Sequence, residues 1–160
     1  MIDTATRERI VLAAREFDGT PYIFGGNERS PGFDCSGGTN LCLRDAGCHG
    51  WEGFPATCDP TADMLWRACA PVGEDEHALP GDLGFYGVPT RCSHVVVVDS
   101  IRGVGADVIA AVWSASNGSP TCTTVAIAAA RRARWRLFKS HLYRKDFLGF
   151  RRPWLLTGTV

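Results

Sequence analysis

The chain has 160 residues, of which 45% are hydrophobic, so it can bury one sizeable core and is not an intrinsically disordered chain. Seventeen basic residues balance 17 acidic residues, and the overall charge therefore gives no indication of a nucleic-acid or membrane-surface partner. No apolar run approaches the ~18 residues that a membrane-spanning helix requires, and the N-terminus lacks the basic start and apolar block of a signal peptide. We expect a single domain over residues 1–160, made in the cytoplasm, with neither a nucleic-acid nor a membrane partner.

Helices are predicted in the first half of the chain. Residues 3–17 place their apolar side chains on one face of a 3.6-residue period, which indicates an amphipathic helix. A Gly- and Pro-rich loop follows. A second helix is predicted over 35–46, with Gly47 as its stop, and a short third helix within 61–70.

Strands are predicted in the second half. Short apolar or β-branched runs at 81–87 and 94–100 indicate buried strands, and 107–116 and 121–130 give weaker strand signals. Alternation within 133–144 predicts one more strand. Helices followed by a meander of strands indicate an α+β fold with an antiparallel sheet.

The segment 131–152 is strongly basic, with nine of the 17 Lys and Arg residues and a single acid, Asp146. Such a run is either a solvated face or a contact for an anionic polymer. Its interleaved apolar residues favour a segment that packs on the core. We expect it to end the sheet with one strand and then lie along the surface, without forming a nucleic-acid site.

Seven cysteines are many for this length. If Cys35 is an unpaired thiol, the other six could form three disulfides, bind zinc or stay reduced and buried. No C-x-x-C pair occurs, which argues against a structural zinc. The six are Cys42, Cys48, Cys58, Cys69, Cys92 and Cys122.

The stretch "GFDCSGG" (32–38) places Cys35 between an aspartate and a serine at the predicted start of a helix. A thiolate is the nucleophilic form of cysteine, and the unpaired N–H groups at a helix N-terminus stabilise it. A neighbouring histidine that accepts the proton would activate the thiol further. These features predict a catalytic rather than an inert cysteine.

Four histidines could be that base. His94 opens the strongest predicted strand and would be held in one orientation there. His49, His77 and His141 lie in a loop, an acidic loop and the basic segment, and are interpreted as surface residues. A lone histidine that opens a strand is more often structural than catalytic, and only its combination with the "FDCSG" stretch makes His94 the predicted general base.

Four stretches in order resemble the successive motifs of NlpC/P60 cysteine peptidases. They are "GTPYIFGG" (19–26), "GFDCSGG" (32–38), "LPGDLGFYG" (79–87) and "SHVVVV" (93–98). The resemblance implies a papain-like α+β fold, with Cys35 as nucleophile and His94 as base. It also implies hydrolysis of amide bonds in the stem peptides of bacterial peptidoglycan, commonly between D-γ-glutamyl and diaminopimelyl residues, with no cofactor and no metal.

The resemblance also assigns substrate contacts. Tyr22 would direct its hydroxyl to the oxyanion or the substrate, and Asp34 and Ser36 would flank the thiol where members of this family hold the stem peptide. Two structural roles stay open: Tyr22 as a loop-packing aromatic, and Asp34 as the N-cap of the helix.

The third catalytic position departs from the family pattern, which places a histidine or another polar residue on the strand after that of the catalytic histidine. The nearest match, "VWSAS" (112–116), puts Ser114 there, with Asn117 or a backbone carbonyl as alternatives for orienting His94. Gly38 also departs, since the family tends to carry an aliphatic residue at that position.

The tail "YRKDFLGFRRP" (143–153) resembles the C-termini of NlpC/P60 proteins encoded with phage tails or prophages. It suggests that a phage tail or secretion apparatus delivers the enzyme to the wall. Two other functions remain open: an N-acetylmuramoyl-L-alanine amidase or acyl-transfer enzyme on the same fold, and an inactive wall-binding structural tail module.

Overall fold

The computed structural model describes residues 2–48, 58–73 and 75–153. Its α-helices are α1 (Thr4–Glu16), α2 (Cys35–Asp45), α3 (Ala62–Ala68) and α4 (Val125–Arg131). The Asp3 carboxylate caps α1 by accepting a hydrogen bond from the Thr6 N–H at 2.7 Å. In the described part of the chain, no helix is both long and apolar enough to cross a membrane.

Two antiparallel sheets complete the fold. The small one pairs β1 (Asn27–Glu28) with β2 (Gly32–Phe33). The large one has six strands in the spatial order β3-β8-β4-β5-β6-β7. Its strands are β3 (Ala70–Pro71), β4 (Leu83–Val88), β5 (Arg91–Arg102), β6 (Ile109–Ser116), β7 (Arg134–Phe138) and β8 (Phe147–Arg152).

Both faces of the large sheet are covered, which the long central strand β5 shows through its alternating side chains. Val95 and Val97 belong to the main core, together with the apolar faces of α1, α2 and α3. Val96 and Val98 belong to a second cluster, against which aromatic residues of the last segment pack. The predicted α+β fold with an antiparallel sheet is confirmed.

A buried carboxylate ties α1 to this sheet. Asp82, which is fully buried, accepts a hydrogen bond from Arg7 at 2.6 Å and one from the Leu79 N–H at 2.8 Å. Arg7 binds Oδ1, and Arg152 donates at 3.3 Å to Oδ2, the oxygen that also accepts from Leu79. The Pro-Gly-Asp turn that precedes β4 is therefore anchored by charge as well as by backbone hydrogen bonds.

Two predictions about the second half were wrong. Residues 121–130 contain α4 rather than a strand, because the Thr124 hydroxyl caps the Ile127 N–H at 3.2 Å and the alanines that follow favour a helix. The basic segment supplies two strands rather than one. After β7, the chain returns to the sheet as β8, between β3 and β4, because Phe147 and Phe150 pack on the second cluster.

Five of the six remaining cysteines are buried: Cys42, Cys69, Cys92, Cys48 and Cys122. Burial raises the pKa of the first three. The thiol of Cys92 donates to the His94 carbonyl at 3.4 Å, and that of Cys122 donates to the Tyr22 carbonyl at 3.3 Å. These two thiols act as small core residues that hold the backbone beside the candidate site.

Candidate active site

Cys35 is the first residue of α2, as predicted, and Asp34 is the N-cap. One Asp34 oxygen accepts from the Gly37 N–H at 2.8 Å and from the Ser36 hydroxyl at 3.2 Å, and the other accepts from the Gly25 N–H at 3.0 Å. Asp34 therefore has the structural role that the sequence left open, that of the N-cap of the helix. Asp34 and Ser36 thus hydrogen-bond to each other.

The two glycines after Ser36 allow a very close packing of the helix start. A Cβ at Gly37 would lie 2.0 Å from the Gly26 carbonyl oxygen, and one at Gly38 would lie 2.6 Å from the Phe33 ring and 2.7 Å from the Trp135 ring. No side chain fits at either position unless these neighbours shift. This explains why Gly38 stands where the resemblance leads one to expect an aliphatic residue.

Cys35 and His94 line one cavity of about 400 Å³, to which Tyr22 and Asn117 also contribute. Cys35 comes from the N-terminus of α2, His94 from β5, and Tyr22 from the loop before β1. Gly118 lets the Tyr22 ring lie against the backbone, since a Cβ there would be 2.2 Å from the ring. The fold thus brings the predicted nucleophile, base and tyrosine together.

Tyr143 is a site residue that the sequence analysis missed. Its hydroxyl lies 2.7 Å from Nε2 of His94. The Tyr143 ring is stacked on Phe138 with a 3.9 Å centroid separation, and its edge contacts Tyr86. It ends a short 3-10 helix, His141–Tyr143, between β7 and β8. Nothing in the sequence indicated it, because Tyr143 and Phe138 are brought together only by the fold.

Ser114, the first choice for orienting His94, has another partner. Its fully buried hydroxyl donates to the Val95 carbonyl at 2.8 Å and so links β6 to β5. Asn117 lines the cavity, but its side chain makes no hydrogen bond to any residue that the structure describes. The ring nitrogen of His94 is instead paired with Tyr143.

Burial favours the neutral forms of Cys35 and His94. It raises the pKa of Cys35 to about 11, and the Asp34 charge adds to this effect, whereas the N–H groups of Val95 and Ser36 oppose it. Burial, assisted by the positive charge of Arg144, lowers the pKa of His94 to about 3. The helix N-terminus was expected to lower the pKa of Cys35; its N–H groups do act in that direction, but desolvation outweighs them.

Two arginines, Arg144 and Arg136, line the cavity together with two tyrosines. Arg144 forms a two-bond ion pair with Asp146, at 3.0 and 2.7 Å, which lowers the pKa of that carboxyl. Burial raises the pKa of Tyr22 and of Tyr143, so both hydroxyls stay protonated at neutral pH.

Of the other histidines in the described ranges, neither His77 nor His141 lines this cavity. His77 is exposed, as predicted. His141 is buried, contrary to the prediction, and its Nδ1 accepts a hydrogen bond from the Ala110 N–H at 3.1 Å. His49 lies outside the described residues. No group of three or more metal-ligating side chains occurs in the described ranges.

Comparison by sequence alone finds no matching family profile and no matching curated protein. Solved structures do match. An NLP/P60 lipoprotein-like protein of Staphylococcus aureus is 23% identical with a TM-score of 0.59, over 95% of this chain and 42% of its own length. The NlpC/P60 domain of the peptidoglycan hydrolase SagA is 23% identical with a TM-score of 0.55, over 91% of this chain and 97% of its own.

NlpC2 from Trichomonas vaginalis is 19% identical with a TM-score of 0.65, over 96% of this chain and 49% of its own length. The chain thus spans less than half of the staphylococcal and trichomonad proteins, but nearly all of the SagA domain. The staphylococcal protein and the SagA domain are described as NLP/P60 or NlpC/P60, and the trichomonad protein as NlpC2. The resemblance seen in the four sequence motifs is confirmed at the level of the fold: this chain is a protein of the NlpC/P60 fold.

Proposed function

We propose that the protein is a cysteine peptidase that hydrolyses amide bonds in the stem peptides of bacterial peptidoglycan. The observation that carries the proposal is the cavity in which Cys35, at a helix N-terminus, and His94, bonded to Tyr143, both lie. The fold shared with the NlpC/P60 domain of the peptidoglycan hydrolase SagA supports the choice of substrate.

The hydrogen bond at His94 sets its tautomer in the proposed mechanism. When Nε2–H donates to the Tyr143 oxygen, the other ring nitrogen, Nδ1, is left unprotonated to accept the thiol proton of Cys35. Tyr143 thus performs the task for which the sequence suggested Ser114. A neutral hydroxyl can accept this bond both before and after the ring becomes charged.

Because thiol and imidazole are both neutral at rest, proton transfer accompanies the attack. The Cys35 sulfur bonds to the carbonyl carbon of the scissile amide while His94 takes the proton, and the carbonyl oxygen becomes an oxyanion. The protonated Tyr22 hydroxyl is a suitable donor to that oxyanion. His94 then returns the proton to the departing amine, and water hydrolyses the thioester to regenerate the thiol.

Within this class, we propose cleavage between D-γ-glutamyl and diaminopimelyl residues, with Asp34 and Ser36 at the edge of the peptide-binding site. Substrate binding through these two would have to compete with their mutual hydrogen bond of 3.2 Å. Delivery to the wall by a phage tail or secretion apparatus is part of the proposal and rests on the tail sequence alone.

Product analysis tests the function. Purified muropeptides of defined sequence are incubated with the protein, and the products are identified by mass spectrometry. Release of a fragment with a new diaminopimelyl N-terminus is expected. Cleavage between muramic acid and alanine would instead identify an amidase, and unchanged muropeptides of every wall type would favour the inactive wall-binding module.

A further inference from the structure

Arg136 is a charged residue without a charged partner at the candidate active site. Its side chain lines the same cavity as Cys35 and His94. It forms no hydrogen bond or ion pair with any residue that the structure describes, and its Nε is buried without a partner. Its guanidinium carbon lies 4.6 Å from the centroid of the Phe138 ring.

The second guanidinium at this cavity behaves differently. Arg144 is held by both oxygens of Asp146, so its charge is already balanced within the protein. The charge of Arg136 is not balanced in this way. Shielding the Nε of a charged guanidinium from water without a hydrogen-bond partner costs free energy, and a ligand that accepts hydrogen bonds from it would recover that cost.

Phe138 fixes Arg136 relative to the catalytic pair. The same ring that contacts the guanidinium is stacked on Tyr143, whose hydroxyl is 2.7 Å from His94. In the sheet, Arg136 is also paired in register with Ser114, which is bonded to the strand that carries His94. The cation is therefore supported by rigid elements of the site and does not sit on a mobile surface loop.

We infer that Arg136 binds a carboxylate of the substrate beside the scissile bond and makes the site selective for acidic peptides. A planar guanidinium matches a carboxylate with two parallel hydrogen bonds. The inference rests on the proposed function and adds to it the residue that would hold a substrate carboxylate. A γ-linked glutamyl residue leaves its α-carboxylate free on the acyl side of the scissile amide. The diaminopimelyl residue carries another carboxylate on the amine side.

The test compares three peptides: γ-D-glutamyl-diaminopimelate, its analogue amidated at the glutamyl α-carboxylate, and its analogue amidated at the diaminopimelyl α-carboxylate. Their binding to Cys35→Ala protein is measured by calorimetry, so that no hydrolysis interferes. One amidation is expected to weaken binding roughly 10- to 100-fold, and it identifies which carboxylate Arg136 holds.

Variants of Arg136 then assign the effect. In Arg136→Gln, the parent peptide and the analogue whose amidation weakened binding to the wild-type site should bind about equally. Arg136→Lys should keep part of the preference for the parent peptide, because it keeps the positive charge. The matched control is Arg134→Gln: Arg134 is an exposed arginine of the same strand that does not line the cavity. This control should retain the full preference.

The outcomes separate this inference from the proposed function. Equal binding of all three peptides, or a preference that survives in Arg136→Gln, would overturn the carboxylate role even if wild-type protein cleaves the parent peptide. A preference that depends on Arg136 without any cleavage by wild-type protein would uphold the carboxylate site and reject the peptidase function. Binding of none of the peptides would reject both.

Discussion

Replacing Tyr143 by phenylalanine tests whether its hydroxyl orients the catalytic base. The substitution keeps the ring, which is stacked on Phe138 at 3.9 Å, and removes only the oxygen that lies 2.7 Å from His94 Nε2. When His94 becomes positively charged during the reaction, its bond to this oxygen becomes charge-assisted, and bonds of that kind contribute about 1.5–3 kcal/mol. At about 1.4 kcal/mol per factor of ten, kcat/KM should fall by roughly 10- to 150-fold.

Tyr86→Phe is the matched control for this substitution. The Tyr86 hydroxyl is also internal and donates to the His141 carbonyl at 2.7 Å, and its ring lies 5.5 Å from the His94 ring, but this hydroxyl does not bond to His94. Both variants leave one polar group without its partner, so both should lose about 1–3 kcal/mol of unfolding free energy.

The assay combines steady-state hydrolysis of a defined muropeptide with urea unfolding of both variants. We expect similar losses of stability, with the large loss of kcat/KM confined to Tyr143→Phe. Wild-type kcat/KM in folded Tyr143→Phe would refute the role given to Tyr143, and so would an equal loss in Tyr86→Phe.

Three further predictions concern reactivity, stability and partners. Because the pKa of Cys35 is raised to about 11, the rate of its alkylation by iodoacetamide should rise about tenfold per pH unit between pH 7 and 9. A rate that is already constant from pH 6 upward would show that Cys35 is a thiolate at neutral pH and would contradict the raised pKa. Asp82→Ala leaves Arg7 without its buried partner and should lower the free energy of unfolding, measured with urea, by about 3–5 kcal/mol. Glu76→Ala removes an exposed carboxylate and should lower it by at most about 1 kcal/mol. Equal losses in the two variants would contradict the role of Asp82. Nucleic acid should not bind through 131–152 in a mobility-shift assay at ~50 mM salt, and tight binding that weakens steeply with salt would disprove this.

The start of α2 could be predicted because its signals are local. Asp34, Cys35 and the glycines after Ser36 combine a capping residue, a nucleophile and a close-packed turn within a few positions. The position of His94 at the start of a strand could also be predicted, since the β-branched run after it indicates a buried strand from local sequence alone.

The partner of His94 could not be predicted in the same way. Tyr143 reaches it only because β8 returns to the middle of the sheet, and that return depends on Phe147 and Phe150 packing on a second cluster far away in sequence. Ser114 was a reasonable candidate by position, but its hydroxyl is used by the Val95 carbonyl. The pKa values of Cys35 and His94 likewise depend on burial, which a motif does not encode.

The error at 121–130 has a local cause. Its threonines, Val125 and Ile127 suggest a strand, whereas the Thr124 cap and the alanines that follow favour a helix. Weighting the cap and the alanines more than the β-branched residues would have predicted α4.

The most direct test of the central claim is the rate at which folded Cys35→Ala protein hydrolyses a muropeptide that the wild type cleaves. Circular dichroism and unfolding midpoint first establish that the variant is folded. The account predicts that kcat/KM falls by more than about 1,000-fold, because no other described group at the cavity can form the thioester. Hydrolysis at a rate near that of the wild type would contradict the assignment of Cys35 as the nucleophile.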